Sequence, residues 1–129
     1  MSSWEGCDRR RFVRVNYPCL VVLKKAADKK NIILTHTENI GVGGICVILK
    51  QDLKKFASVD LEIDLMDMDQ HIQCTGKIVW NVRRRELEDK KPSYFDIGIE
   101  FDDVNDQDKK RLRRVVDKLV RNTKERPKL

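Results

Sequence analysis

The sequence has little of what catalysis or metal binding usually requires. It holds two histidines, His36 and His71, among 129 residues, with no spacing that makes a metal-binding pair. No phosphate-binding loop and no nucleophile elbow occurs. Its four cysteines, Cys7, Cys19, Cys46 and Cys74, include no Cys-x-x-Cys pair. They read as reduced thiols, the last three on strands. No apolar run approaches the ~20 residues that a membrane-spanning helix needs, and residues 1–6 lack the apolar stretch of a signal peptide. These absences predict a soluble, cytoplasmic, non-catalytic protein with no cofactor, no metal site and no membrane insertion.

Broad basicity is also missing. The chain carries +6 overall, but residues 1–104 hold 17 Lys and Arg against 17 Asp and Glu. The excess belongs to residues 105–129, with 10 basic residues against four acids. A neutral body with a basic end argues against a surface built to wrap nucleic acid. The Arg83-Arg84-Arg85 run and the basic end leave nucleic-acid binding as a minor reading, one that predicts steep salt dependence.

What is present is a succession of short period-two segments. Cys19–Leu23 and Ile32–Leu34 are apolar runs separated by the turn-like Asp28-Lys29-Lys30-Asn31. Ile45, Val47 and Leu49 alternate. Val59, Leu61, Ile63 and Leu65 alternate with Asp60, Glu62 and Asp64, which explains those acids without a metal. Ile72, Cys74, Ile78 and Trp80 continue the pattern around Gly76, and Ile97, Ile99 and Phe101 around Gly98. Leu112, Val115, Val116, Leu119 and Val120 then follow helical spacing. Asn105 is a suitable N-cap, and Asp106 and Asp108 suit the positive end of the helix dipole. Six strands without intervening helices imply antiparallel pairing. The expected fold is all-β with one C-terminal helix: a six-stranded antiparallel barrel whose helix plugs an open end or packs outside. The chain reads as one domain, with residues 1–16 a flexible N-terminal arm, 17–122 the barrel and helix, and 123–129 a basic tail.

The chemistry concentrates at two places. Arg9, Arg10, Arg11 and Arg14 put four guanidiniums within six residues, each a planar fork suited to phosphate or a guanine edge. Further on, Asn39-Ile40-Gly41-Val42-Gly43-Gly44 reads as a polar, glycine-rich turn with a backbone free to take positive φ. Each alone has a plain explanation, a solvated basic tail and a connection between strands. Together at one barrel opening they suit a small anionic nucleotide.

The pair Arg10-x-x-x-Arg14 and Asn39-x-Gly41-x-x-Gly44 resembles the signature of PilZ domains, bacterial receptors for cyclic di-GMP. The resemblance continues through Gly76-Lys77-Ile78-Val79-Trp80 and Tyr94–Phe101 into the helix, over roughly residues 8–121. It implies a PilZ-like split barrel and a cyclic di-GMP site. Arg10 and Arg14 would grip phosphates and guanine edges, Asn39 would bond a guanine, and Gly44 would let the backbone approach. Arg9 would favour a stacked pair of ligand molecules. Gly41 departs from the family's serine and removes one hydroxyl. The resemblance further implies that ligand orders the arm over the barrel and that the ordered surface signals to an unidentified protein partner. The alternative is a PilZ-like interaction module that works without ligand.

Overall fold

The computed structural model describes residues 14–25, 28–84 and 94–125. Among these residues, seven strands and one helix succeed each other: β1 (Arg14–Val15), β2 (Leu20–Lys25), β3 (Asp28–Gly41), β4 (Gly44–Leu49), β5 (Ser58–Asp64), β6 (Ile72–Arg83), β7 (Phe95–Phe101) and α1 (Asp106–Glu125). All neighbouring strands are antiparallel. The order β3-β2-β5-β6-β7-β4 closes on itself through a β3–β4 pairing, and β1 is a short annex on β3. The six expected strands therefore form a closed barrel with one C-terminal helix.

Alternation decides which side chains fill it. Val21 and Leu23, then Val59, Leu61 and Ile63, then Ile72 and Ile78, and finally Ile97 and Ile99 all point inward and are buried. Each such aliphatic side chain contributes about 1.5–3 kcal/mol through burial. Cys74 joins this core, and Cys19 does so from just ahead of β2 and not from a strand. Cys46 lies on β4 but belongs to the outer face, where Ile45 and Val47 point in. All three thiols are unpaired by disulfides, and burial pushes Cys74 up to about 12.

Strand β3 differs most from expectation. Asp28–Asn31, read as a turn, lie within it, because Lys25 pairs with Asp28 and leaves two residues between β2 and β3. Its other end absorbs Asn39, Ile40 and Gly41, so the polar turn contracts to Val42-Gly43. A register shift between Thr37 and Asn39 leaves Glu38 as an extra residue in the β3–β4 ladder. Thr37, 1% exposed, anchors this bulge from inside. Its hydroxyl accepts from the Cys19 amide at 3.0 Å and donates to the Tyr17 carbonyl. Tyr17 in turn donates its phenol to the Leu65 carbonyl at 2.8 Å. These bonds hold residues 17–19 and carry the chain into β1. Arg14 and Val15, at the end of the expected arm, consequently pair with Gly41 and Ile40.

No described glycine has positive φ. Gly44 is needed for close approach instead: a Cβ there would strike the Ile99 carbonyl oxygen and lie 3.2 Å from Glu100 Cα.

The helix begins as expected. Asn105 Oδ1 accepts from the Asp108 amide at 2.8 Å, an N-cap bond. Leu112 is fully buried within the barrel's core cluster and Val116 is buried, while α1 packs against β1 and β3. The helix runs to Glu125, past the expected boundary at residue 122. Arg111, which composition assigns to a solvated basic face, is 4% exposed. Its guanidinium donates to both Asp67 oxygens at 2.7 and 3.0 Å, to Asp108 Oδ1 at 3.1 Å and to the Gln70 carbonyl at 2.7 Å. One side chain thereby ties α1 to the β5–β6 turn. No helix among the described residues is long and apolar enough to cross a membrane.

Three outcomes are expected. Arg111→Met strands Asp67 and Asp108 against the helix and lowers unfolding free energy by about 2–4 kcal/mol in urea titrations. Hydrogen bonding from Arg111 holds the Asp67 carboxyl below its ordinary range. That stability is present above the unfolded carboxylate pKa and is lost as pH falls through the folded one. The acid limb of the stability profile is therefore steeper in the wild-type chain than in Arg111→Met. Gly44→Ala forces β4 away from β7 and costs about 1–3 kcal/mol in the same assay.

Candidate functional site

The outer face of β3, β4, β7 and β6 can be read from its register. Asn39 pairs with Cys46, Cys46 with Gly98, and Gly98 with Trp80. One row thus runs Asn39–Cys46–Gly98–Trp80 across the barrel wall. Its middle is low because Gly98 has no side chain and Cys46 has a small one. Trp80, 7% exposed, lies across Gly98, so that a Cβ at residue 98 would meet the indole ring. These four residues form the floor of the face, an amide at one end and an indole at the other, with the buried Cys46 and Gly98 between them.

Gly41 stands at the end of β3, two residues beyond Asn39, and the backbone of Arg14 pairs with it. Gly44 opens β4 opposite Glu100. The amide of Phe101 donates to the Gly43 carbonyl at 2.9 Å, fixing the β3–β4 connection to β7. Arg14, Asn39, Gly41 and Gly44 therefore meet at one edge of the floor, from three strands. Arg9 and Arg10 lie outside the described residues.

Sequence reasoning passed over a group beside Asn39. Glu38, on the β3 bulge, forms an ion pair with Arg84 Nη2. Arg84 Nε donates to Asp96 Oδ1 at 2.9 Å, and Cys46 Sγ donates to Glu38 Oε2 at 3.5 Å. The Arg84 amide also donates to the Tyr94 carbonyl at 2.8 Å, so its backbone is fixed where β6 and β7 part. Burial, then Asp96, pushes the Glu38 carboxyl up, and Arg84 draws it down. Hydrogen bonding to Asp96 raises the Arg84 guanidinium. The only sequence signal for Arg84 was its place in an arginine run, which points equally well to a solvated loop.

The remaining polar candidates sit elsewhere. His71 contacts Glu62 at 2.9 Å and Asp64 at 3.7 Å, on the β5–β6 side. Hydrogen bonding to Glu62 raises its pKa. Among the described residues, no three His, Cys, Asp or Glu side chains are grouped so as to hold a metal ion.

Comparison with known proteins addresses the fold directly. No curated protein matches the chain. Among solved structures, the inhibitor of motility MotI/DgrA from Bacillus subtilis superposes with a TM-score of 0.72 at 20% identity, over 92% of this chain and 54% of that one. The PilZ domain of YcgR from Escherichia coli, solved with c-di-GMP, gives 0.68 at 17% identity, over 91% of this chain and 95% of that one. The K. pneumonia MrkH–c-di-GMP complex gives 0.71 at 17% identity, over 90% and 54%. The chain spans about half the length of MotI and MrkH, whose matches cover 54% of each. The sequence profile of the PilZ domain matches residues 8–118, and with the barrel, its closing β3–β4 pairing and the terminal helix in place, the chain belongs to the PilZ domain family.

Proposed function

We propose that this protein is a non-catalytic cyclic di-GMP receptor whose ligand lies on the β3–β4–β7–β6 face. The observation that carries the reading is the pairing of Arg14 with Gly41. It brings the strand that ends the Arg-x-x-x-Arg motif to the strand that bears Asn39 and Gly41, beside Gly44. The last residue of the first motif thus lies beside the second, which supports a shared site. The solved YcgR domain and MrkH complex hold c-di-GMP, which supports the same ligand class here.

Each side chain has a distinct task. Arg10 and Arg14 supply charge-assisted bonds to phosphate oxygens or a guanine edge. Asn39 offers both a donor and an acceptor, so it can read a guanine edge. Gly44 lets the backbone approach the ligand, and Gly41 offers it a backbone N–H. Arg9 offers a further guanidinium on which a second ligand molecule can stack. Binding orders the arm over the barrel, and the ligand contacts offset the lost chain entropy. The ordered arm then presents a new surface to a protein partner.

Gly41 in place of serine favours a second reading, an interaction module that works without ligand. The missing hydroxyl is worth ~0.5–1.5 kcal/mol, a several-fold change in affinity and less than the arginine contacts contribute. Nucleic-acid binding through Arg83–Arg85 is disfavoured, because Arg84 is held by Glu38 and Asp96.

Calorimetric titration with cyclic di-GMP is the test. Dissociation constants of about micromolar or tighter are expected for the wild-type chain, with losses of roughly tenfold or more in Arg10→Ala and Arg14→Ala. Gly41→Ser should tighten binding several-fold. Stoichiometry distinguishes one ligand from a stacked pair and should fall to one in Arg9→Ala. Wild-type affinity in both arginine variants would overturn the assigned site, and no heat at ~100 μM would favour the second reading.

A further inference from the structure

We infer that Arg84 is a charge-neutralising positioning residue for this face: it holds Glu38 and Asp96 so that a dianionic ligand can lie beside Asn39. The inference rests on the ligand reading above and goes beyond the Arg-x-x-x-Arg and Asn-x-Gly-x-x-Gly motifs.

Glu38 directly precedes Asn39 in the chain. The bulge between Thr37 and Asn39 inserts it into the ladder beside the outward-facing Cys46, whose thiol it accepts. Asp96 sits two residues before Gly98 on β7, opposite Ile48 of β4 and Val82 of β6. Both carboxylates are thus at the rim of the floor, one on β3 and one on β7. A nucleotide with two phosphodiesters brings two negative charges to the same face. Left alone, two carboxylates there would repel it, and at an effective dielectric of about 20–40 one unscreened carboxylate ~8 Å from a phosphate weakens binding about sixfold to thirtyfold.

Arg84 offsets one of the two negative charges and so reduces that repulsion. It reaches both carboxylates at once, Glu38 through Nη2 and Asp96 through Nε. A guanidinium, with several donors in one plane, suits the bridging of two acids on different strands in this way. Its side chain is 41% exposed, and those of Glu38 and Asp96 are 32% and 26% exposed. The triad is therefore at the surface, where a ligand meets it, and is not part of the core. Its backbone anchor to Tyr94 places it by the barrel and not by the β6–β7 loop. Ion pairs this exposed contribute little to folding, so their value lies in the charge they present.

The test is titration of cyclic di-GMP into wild type, Arg84→Ala, Glu38→Gln and Arg84→Ala/Glu38→Gln, with thermal melting of each. Arg84→Ala should melt close to wild type and bind about tenfold more weakly at low salt. The loss should shrink as ionic strength rises, and adding Glu38→Gln should recover most of it. Arg84→Lys, which keeps the charge but lacks the planar fork of donors, should fall between. If the wild-type chain binds but Arg84→Ala binds equally well, the inference is wrong and the ligand reading stands. The same holds if its weakness is neither salt-dependent nor relieved by Glu38→Gln, since that pattern marks a merely structural loss. If the wild-type chain does not bind, the ligand reading fails and the inference falls with it.

Discussion

Everything in this barrel depends on how one strand is shared. β3 has 14 residues, more than twice the usual length of a strand. Its first part pairs with β2, and its last part pairs with β4 and β1. A strand that served one neighbour alone would leave the sheet open, with an edge exposed. The extra residue at Glu38 increases the local twist, which allows β3 to leave the line of β2 and meet β4. Thr37 makes the bulge tolerable. Its buried hydroxyl satisfies the Cys19 amide and the Tyr17 carbonyl at the point where the regular ladder fails. Without that hydroxyl, two backbone groups would be left unpaired in the interior.

The same bulge shapes the candidate site. It is the reason that Glu38 and Asn39 come one after the other at the rim of the outer face, while Thr37 and Ile40 stay inside. It also brings the end of β3 to where β1 can dock. Closure of the barrel and construction of the candidate site are therefore one structural event. This explains why Asn39, Gly41 and Gly44 lie on strands, with only Val42 and Gly43 left to the turn between them. A loop would present these groups in many arrangements, whereas two paired strands hold them in one.

Strand content and core were legible because alternation is a direct consequence of the pleat. Val59 to Leu65 could be assigned to one face from the sequence alone, and Leu112 and Val116 to the buried stripe of a helix. Asn105 was legible as a cap because few residues can serve that position. The extent of β3 was not. Asp28 to Asn31 is polar in a way that suits a turn, and only pairing with β2 draws it into a strand. Arg111 and Arg84 were missed for a shared reason. Composition counts a guanidinium as surface charge, and its partners lie 44 residues away for Asp67 and 46 for Glu38. Long-range ion pairs leave no periodic trace. For the site, the motif spacing indicated which residues matter, but only register indicated that Arg14 meets Gly41 and that Asn39, Cys46, Gly98 and Trp80 form a row.

Trp80 gives this row an optical consequence. The chain has two tryptophans, and the other, Trp4, lies outside the described residues. Replacing Trp4 with phenylalanine would leave a single indole, packed over Gly98 in the outer wall of the barrel. Its emission would then come from one known place, at the far side of the floor from Asn39. The colour of that emission would follow how much water reaches the ring, and its lifetime would follow whatever aromatic surface lies over it. The barrel wall thus contains its own fluorophore, placed by the absence of a side chain on the neighbouring strand.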